Sequence, residues 1–179
     1  MNEKAKKLGM KNTTFKNCNG LDEEGHLTSA YDVALMSQEL IKHEKIFEFT
    51  SIWLDYLRDG KTQIVNTNKL LKSYKGITGL KTGTTSQAGS CISATAKRDG
   101  LTLIAVVLGG VTGKDRFADA TQLLDYGFAN YSVYTPEYKE EIPEILVKNG
   151  MQSNLKATAN ISGCIVLEKG QSKDITCKL

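Results

Sequence analysis

The run Gly79-Leu80-Lys81-Thr82-Gly83-Thr84-Thr85 places a cation, two flanking glycines and three hydroxyls within seven residues. A lysine supplies a point charge for a carboxylate, a threonine hydroxyl adds a directional hydrogen bond, and a glycine lets a substrate backbone approach closely. Such a strand suits an anionic substrate. In an ideal strand Lys81 and Thr82 point to opposite faces, so both serve one anion only near a twisted edge. The tripeptide Lys-Thr-Gly is short enough to occur by chance in a loop, and its surroundings decide its weight.

Other residue types capable of chemistry are scattered. His26 and His43 are isolated, with no second ligand at metal spacing, and read as surface or capping histidines; no metal is expected. The cysteines at 18, 91, 164 and 177 form no Cys-x-x-Cys pair and no short ladder, so neither a zinc site nor a knottin-like disulfide framework is indicated. They read as buried free thiols, and a Cys164–Cys177 pair stays open if two late strands lie side by side. Asp32 reads as a residue of a helix's first turn, complementing its dipole. Trp53 and Tyr56 either rim a cleft or pack in a core. The one Ser-x-x-Lys is Ser153-Asn154-Leu155-Lys156, and no Ser-x-Asn or Tyr-x-Asn occurs.

Lys-Thr-Gly belongs with Ser-x-x-Lys and a Ser-x-Asn element in penicillin-binding proteins and class A β-lactamases. The stretch Gly76-Ile77-Thr78-Gly79-Leu80-Lys81-Thr82-Gly83-Thr84-Thr85-Ser86-Gln87-Ala88-Gly89-Ser90-Cys91, continuing through Ala94 to Gly100, resembles the low-molecular-mass penicillin-binding D-alanyl-D-alanine carboxypeptidases. So do Asn19-Gly20-Leu21 and His26-Leu27-Thr28-Ser29-Ala30-Tyr31-Asp32. A β-lactamase would share Lys-Thr-Gly, but not the linker and appended segment described below.

In that family a serine attacks the penultimate D-alanine carbonyl and a lysine three residues later activates it. The resemblance implies catalytic roles for Lys81, Thr82 and Gly83. Lys81 and the Thr82 hydroxyl would receive the terminal carboxylate of the stem peptide or the β-lactam. The backbone N–H of Thr84 would be one of two oxyanion-hole donors. No nucleophile is expected in this chain: Ser153 follows the linker in a strand-like segment, where a match to Ser-x-x-Lys is a coincidence of spacing. The missing elements are expected to precede Met1, and the chain alone is expected to be inactive. Neither the residues nor the resemblance asks for a cofactor.

The elements that must position this run follow from pattern. Residues 2 to 8 suit a helix ended by Gly9, and Lys11 to Gly25 is rich in turn formers and reads as a long loop. Ser29-Ala-Tyr-Asp32 forms a capping box that opens a helix over about 29–43. Strand-like runs Ile52 to Arg58 and Lys61 to Asn66 meet at Asp59-Gly60, a tight hairpin turn. A second hairpin joins Gly89 to Lys97, expected to be half exposed, with a buried run Leu101 to Leu108 through Asp99-Gly100. Asp115 to Tyr131 carries a helical apolar stripe that would cover the sheet, with Gly127 weakening its end.

Both prolines, Pro136 and Pro143, fall in an acidic stretch that reads as a linker. Beyond it come short strand-like runs with no helical period. The expected fold is α+β: a partial penicillin-binding-protein or β-lactamase-like domain, an antiparallel sheet with covering helices, then an incomplete all-β segment. The resemblance assigns 1–133 to the later half of the peptidase domain, 134–144 to a linker and 145–179 to the start of a β-rich carboxyl-terminal domain.

With 40% hydrophobic and 24% charged residues, the 179-residue chain can bury a core. Lysines alternate with acids and the net charge is only +3, so no basic stripe for nucleic acid exists. Lys4, Lys6, Lys7, Lys11 and Lys16 read as a solvated face. No run approaches about 18 apolar residues, and the start lacks a hydrophobic segment. Membrane contact is therefore expected only through regions outside this chain, with an extracytoplasmic location implied by the resemblance. Expected partners are peptidoglycan stem peptides and β-lactams, with self-association through an uncovered sheet. The competing reading is a non-catalytic module that binds cell-wall peptide or a protein partner.

Overall fold

In a computed structural model that describes residues 1–136, 142–158 and 163–175, the chain divides into two units, Met1–Ala129 and Asn130–Leu179. The first opens with α1 (Asn2–Lys7) and closes its turn at Gly9. A loop follows, crossed by one bridge between Thr14 and Leu27. Helix α2 (Ala30–Leu40) starts where its cap predicts: the Asp32 N–H donates to Ser29 Oγ at 3.2 Å. The reciprocal half of the capping box does not form. The Asp32 carboxylate is 1% exposed and accepts from the Asn12 N–H and the Thr13 hydroxyl, each at 2.7 Å, so it ties the preceding loop to the helix. The helix also stops at Leu40, short of residue 43, and a 3₁₀ turn (Glu44–Ile46) and α3 (Phe47–Thr50) occupy a stretch with no sequence assignment.

The first hairpin, β1 (Leu54–Leu57) and β2 (Thr62–Val65), turns through Arg58, Asp59 and Gly60, all at positive φ. After α4 (Leu70–Ser73) comes the main sheet, ordered β3 (Ile77–Thr85), β4 (Gly89–Arg98), β5 (Leu101–Gly110), antiparallel throughout. The expected burial of its second hairpin is reversed. β4 lies between two strands and has both faces covered, whereas β5 is an edge strand in which only Leu101 and Ala105 are buried.

Register sorts the faces, because residues paired across antiparallel strands share one side. Ile92, Ala94 and Ala96 pack with Ala105, and Ala120 and Leu124 of α5 (Gly113–Asn130) complete that core. On the other face the Ser93 hydroxyl meets Ser37 of α2 at 2.7 Å. α5 runs on past Gly127 to Asn130. Gly127 is buried, and a Cβ there would press on the tip of the Leu103 side chain, so the helix lies close to β5 at this glycine.

In the second unit β6 (Tyr131–Tyr134) pairs with β9 (Ile165–Glu168), and β7 (Ile145–Leu146) with β8 (Asn154–Leu155). The sequence reading ends the first domain at 133, yet β6 pairs within the second unit. Of the linker 134–144, residues 137–141 lie outside the described residues, as does Cys177, and with it the open question of a pair with Cys164. Cys18 and Cys164 are exposed rather than buried, and Cys91 is intermediate.

Candidate functional site

Lys81, Thr82, Gly83 and Thr84 lie on β3, the edge strand whose free side faces the loop between β2 and α4. Strand alternation holds: Lys81 is exposed on the face of Ser93, and Thr82 is buried on the face of Ile92. The Lys81 ammonium folds back and donates to the Thr82 carbonyl, which brings the cation to the residue whose hydroxyl faces the other way. The Thr82 hydroxyl meets that of Thr67 at 2.6 Å.

What bends the strand lies two residues earlier. The register shifts between Ile77 and Gly79, and Gly79 has φ +143°, outside the range that L side chains favour. α3 packs against this bulge: Thr50 Oγ1 donates to the Thr78 carbonyl at 2.8 Å, and a Cβ on Gly79 would sit 2.6 Å from Thr50. Gly83 differs. Among the described residues a Cβ there would meet nothing within 4 Å, so no packing among them asks for glycine at that position.

Arg116, in the first turn of α5, is a site residue that sequence reasoning missed. The residue is 9% exposed, and its Nη1 donates to the Gly83 carbonyl and the Thr84 hydroxyl, each at 2.9 Å. It lies over the Phe117 ring at 4.9 Å. A signal existed: Arg116 heads the buried stripe Arg116, Ala120, Leu124 and Gly127, where an arginine is out of place unless it has polar partners.

The turn after β3 is held by the loop before α2. Asp22 accepts from the Ser86 hydroxyl at 3.1 Å and the Gln87 N–H at 3.3 Å. Hydrogen bonds, that of the Thr85 hydroxyl first, keep its carboxyl below the ordinary range. On the α2 side an apolar cavity of about 440 Å³ is lined by Val33, Met36, Leu40, Ile46, Lys81 and Cys91. The arrangement gathers two cations and three hydroxyls around the carboxyl half of an edge strand, which suits an anion with a peptide backbone.

The remaining candidates lie elsewhere. His26 meets the Phe15 ring edge-on at 5.8 Å, and His43 is exposed beyond α2. The described residues contain no group of three His, Cys, Asp or Glu that could hold a metal. Trp53 has the Lys72 ammonium over its ring at 4.9 Å and lines a shallow cavity with Phe49 and Ile64, while the Tyr56 hydroxyl accepts from Gln63 Nε2. Ser153 is exposed in the second unit, just before β8.

A family description, D-alanyl-D-alanine carboxypeptidase, matches residues 1–112, a span that contains β3 and the loops around it. The chain belongs to this family. D-alanyl-D-alanine carboxypeptidase DacF of Bacillus subtilis is 46% identical over 176 residues, covering 96% of this chain and 45% of the relative. DacC of Escherichia coli is 35% identical over 178 residues, 44% of its length. Among solved structures, penicillin-binding protein 5 from Haemophilus influenzae aligns with a TM-score of 0.74 at 32% identity, covering 96% of this chain and 51% of that one. Penicillin-binding protein D2 from Listeria monocytogenes in its cefotaxime-bound form aligns at 0.66 with 40% identity, over 71% of this chain and 53% of its own. The chain thus spans about half the length of the relatives it matches, and its α+β fold is that of a partial penicillin-binding-protein domain.

Proposed function

We propose that the chain is the carboxylate-binding part of a serine-type D-Ala-D-Ala carboxypeptidase of peptidoglycan maturation, acting outside the cytoplasm and acylated by penicillins. The observation that carries this reading is the edge strand itself: the Lys81 ammonium at the Thr82 carbonyl, the Thr82 hydroxyl, and the Arg116 guanidinium behind Gly83 and Thr84. In this scheme Lys81 and Thr82 hold the substrate's terminal carboxylate, and the open space over Gly83 admits its backbone. The N–H of Thr84 donates to the oxyanion that forms when serine attacks the penultimate carbonyl. The carbonyl–nitrogen bond then breaks, D-alanine leaves as the amine, and water hydrolyses the acyl-enzyme.

The acylating serine comes from outside these 179 residues, whose one Ser-x-x-Lys starts at the exposed Ser153. The second unit is the beginning of a β-rich appended domain, and self-association proceeds through the outer edge of β5. That edge carries no strand partner among the described residues, and Leu123 and Tyr126 stand 50% and 63% exposed.

Lys81→Ala in the full-length protein tests the reading. Folding must be kept and acylation by penicillin lost; a parent rate of acylation and of D-Ala-D-Ala cleavage would sink it. A full-length protein that bound stem peptide without ever acylating would instead be a non-catalytic cell-wall binding module.

A further inference from the structure

Thr82 is 7% exposed, and among the described residues its hydroxyl has one side-chain partner, Thr67, at 2.6 Å. Two hydroxyls at that distance share one hydrogen bond, so only one of them donates to the other. A carboxylate accepts and does not donate. If the Thr82 O–H is to point at a substrate carboxylate, Thr82 Oγ1 can only accept from Thr67, and Thr67 must be the donor of the pair.

We infer that Thr67 is a positioning residue: its O–H donates to Thr82 Oγ1 and thereby commits the Thr82 proton to the substrate carboxylate. This rests on the assignment of Lys81 and Thr82 as the carboxylate site and adds the residue that orients it. Hydrogen bonds in such a chain polarise one another, so the Thr82 donor is also strengthened.

The loop around Thr67 is built to hold it there. Asn66 Nδ2 donates to the Ile52 carbonyl at 2.9 Å, and Asn66 Oδ1 accepts from the Asn68 N–H at 2.9 Å. Asn68 is 2% exposed; its Oδ1 accepts from the Leu70 N–H at 3.2 Å and its Nδ2 reaches the Gly79 carbonyl at 3.4 Å. Both neighbours are therefore spent on fixing the backbone, one of them onto β3 itself. The exposed Thr67 is left with its hydroxyl on Thr82. Sequence alone offers Asn66-Thr67-Asn68 as a polar turn and nothing more.

The experiment uses the full-length protein and compares acylation efficiency for a D-Ala-D-Ala substrate with a free terminal carboxylate against the same substrate as its terminal amide. Thr67→Val keeps the branched shape and removes the donor. It should lower the preference for acid over amide by about 3- to 10-fold, the worth of one net hydrogen bond. Thr67→Ser should restore most of it. An equal fall for both substrates, or no recovery in Thr67→Ser, would mark Thr67 as structural and overturn the inference. Should Thr67→Val fail to fold, the same ratio is read in Thr67→Ala. Thr82→Val separates the two levels: an unchanged preference there refutes the carboxylate site itself. A preference lost in Thr82→Val and kept in Thr67→Val refutes the role of Thr67 alone.

Discussion

The two outer edges of the three-stranded sheet are built differently. Along β3 the backbone carries a bulge, a loop and α3 are hydrogen-bonded against it, and charged and hydroxyl side chains crowd its carboxyl half. Along β5 the strand is regular where it pairs with β4 from Ile92↔Val107 to Arg98↔Leu101, and its apolar residues Ile104 and Val106 are half-buried while Leu108 is exposed. An edge strand left regular and apolar is a template for another strand, whereas a bulged and polar one is not. On the reading proposed above, the first edge would take a small anionic ligand and the second would take protein.

The largest effect that would break this contrast is at Lys81. In the full-length protein Lys81→Ala should cost about 2 to 5 kcal/mol of transition-state stabilisation, roughly 30-fold to several thousand-fold in acylation efficiency. Lys81→Arg should recover part of that by keeping the charge, and the exposed Lys75→Ala should be nearly silent. Stopped-flow acylation with a reporter penicillin reads all three.

Next in size is a pair of glycines on the same strand. Gly79→Ala meets Thr50 at 2.6 Å from a φ of +143°, and should destabilise the fold by about 2 to 4 kcal/mol in thermal or denaturant unfolding. Gly83→Ala has open space, and its unfolding midpoint should match the parent while acylation falls. A Gly83→Ala protein with full activity would show that no substrate approaches there.

The β5 edge is probed by concentration. Sedimentation of the 179-residue chain should show self-association that a charge at the half-exposed Leu108, as in Leu108→Lys, suppresses. A parent chain that stays monomeric at high concentration would remove the contrast from that side. The same 179-residue chain should take no covalent label from a fluorescent penicillin, and an adduct located by mass spectrometry would contradict the placing of the nucleophile elsewhere.

The smallest expected effect is alkaline. Burial, with help from the Asp125 carboxylate that accepts its proton at 2.7 Å, raises the Tyr74 phenol to about 12. A pKa raised on folding contributes stability that is complete below the unfolded value near 10 and is lost as pH climbs through about 12. Unfolding measurements between those limits should show a decline that Tyr74→Phe flattens, and a parent curve as flat as that of Tyr74→Phe would contradict the buried phenol.

Local signals made much of this legible. The turn pairs Asp59-Gly60 and Asp99-Gly100, the Ser29 cap and the stripe of α5 each fix one element by short-range chemistry, and each element formed. The motif placed Lys81 to Thr84 on a strand beside the anion-friendly groups. What sequence withheld is long-range. Which hairpin strand is central depends on β3, not on the hairpin, and so the burial of β4 and β5 was inverted. Arg116 and Thr67 reach the site only because α5 and the loop before α4 fold back over it, from 32 to 33 and from 15 residues away in the chain. Asp32 read as a cap residue because its partners Asn12 and Thr13 belong to a loop with no period to predict from.

The closeness of Gly127 to Leu103 has a mechanical meaning. α5 is a rigid rod, and eleven residues of it separate Gly127 from Arg116, a span of about 16 Å at the rise of an α-helix. The contact with Leu103 acts as a fulcrum near one end of that rod, and the guanidinium that braces Gly83 and Thr84 rides on the other. A single methyl added at the fulcrum first displaces the tip of the Leu103 side chain, and whatever part of the clash that tip does not absorb lifts the rod and moves the distant guanidinium, so the position of a charge at the site is tied to the absence of a side chain a helix-length away.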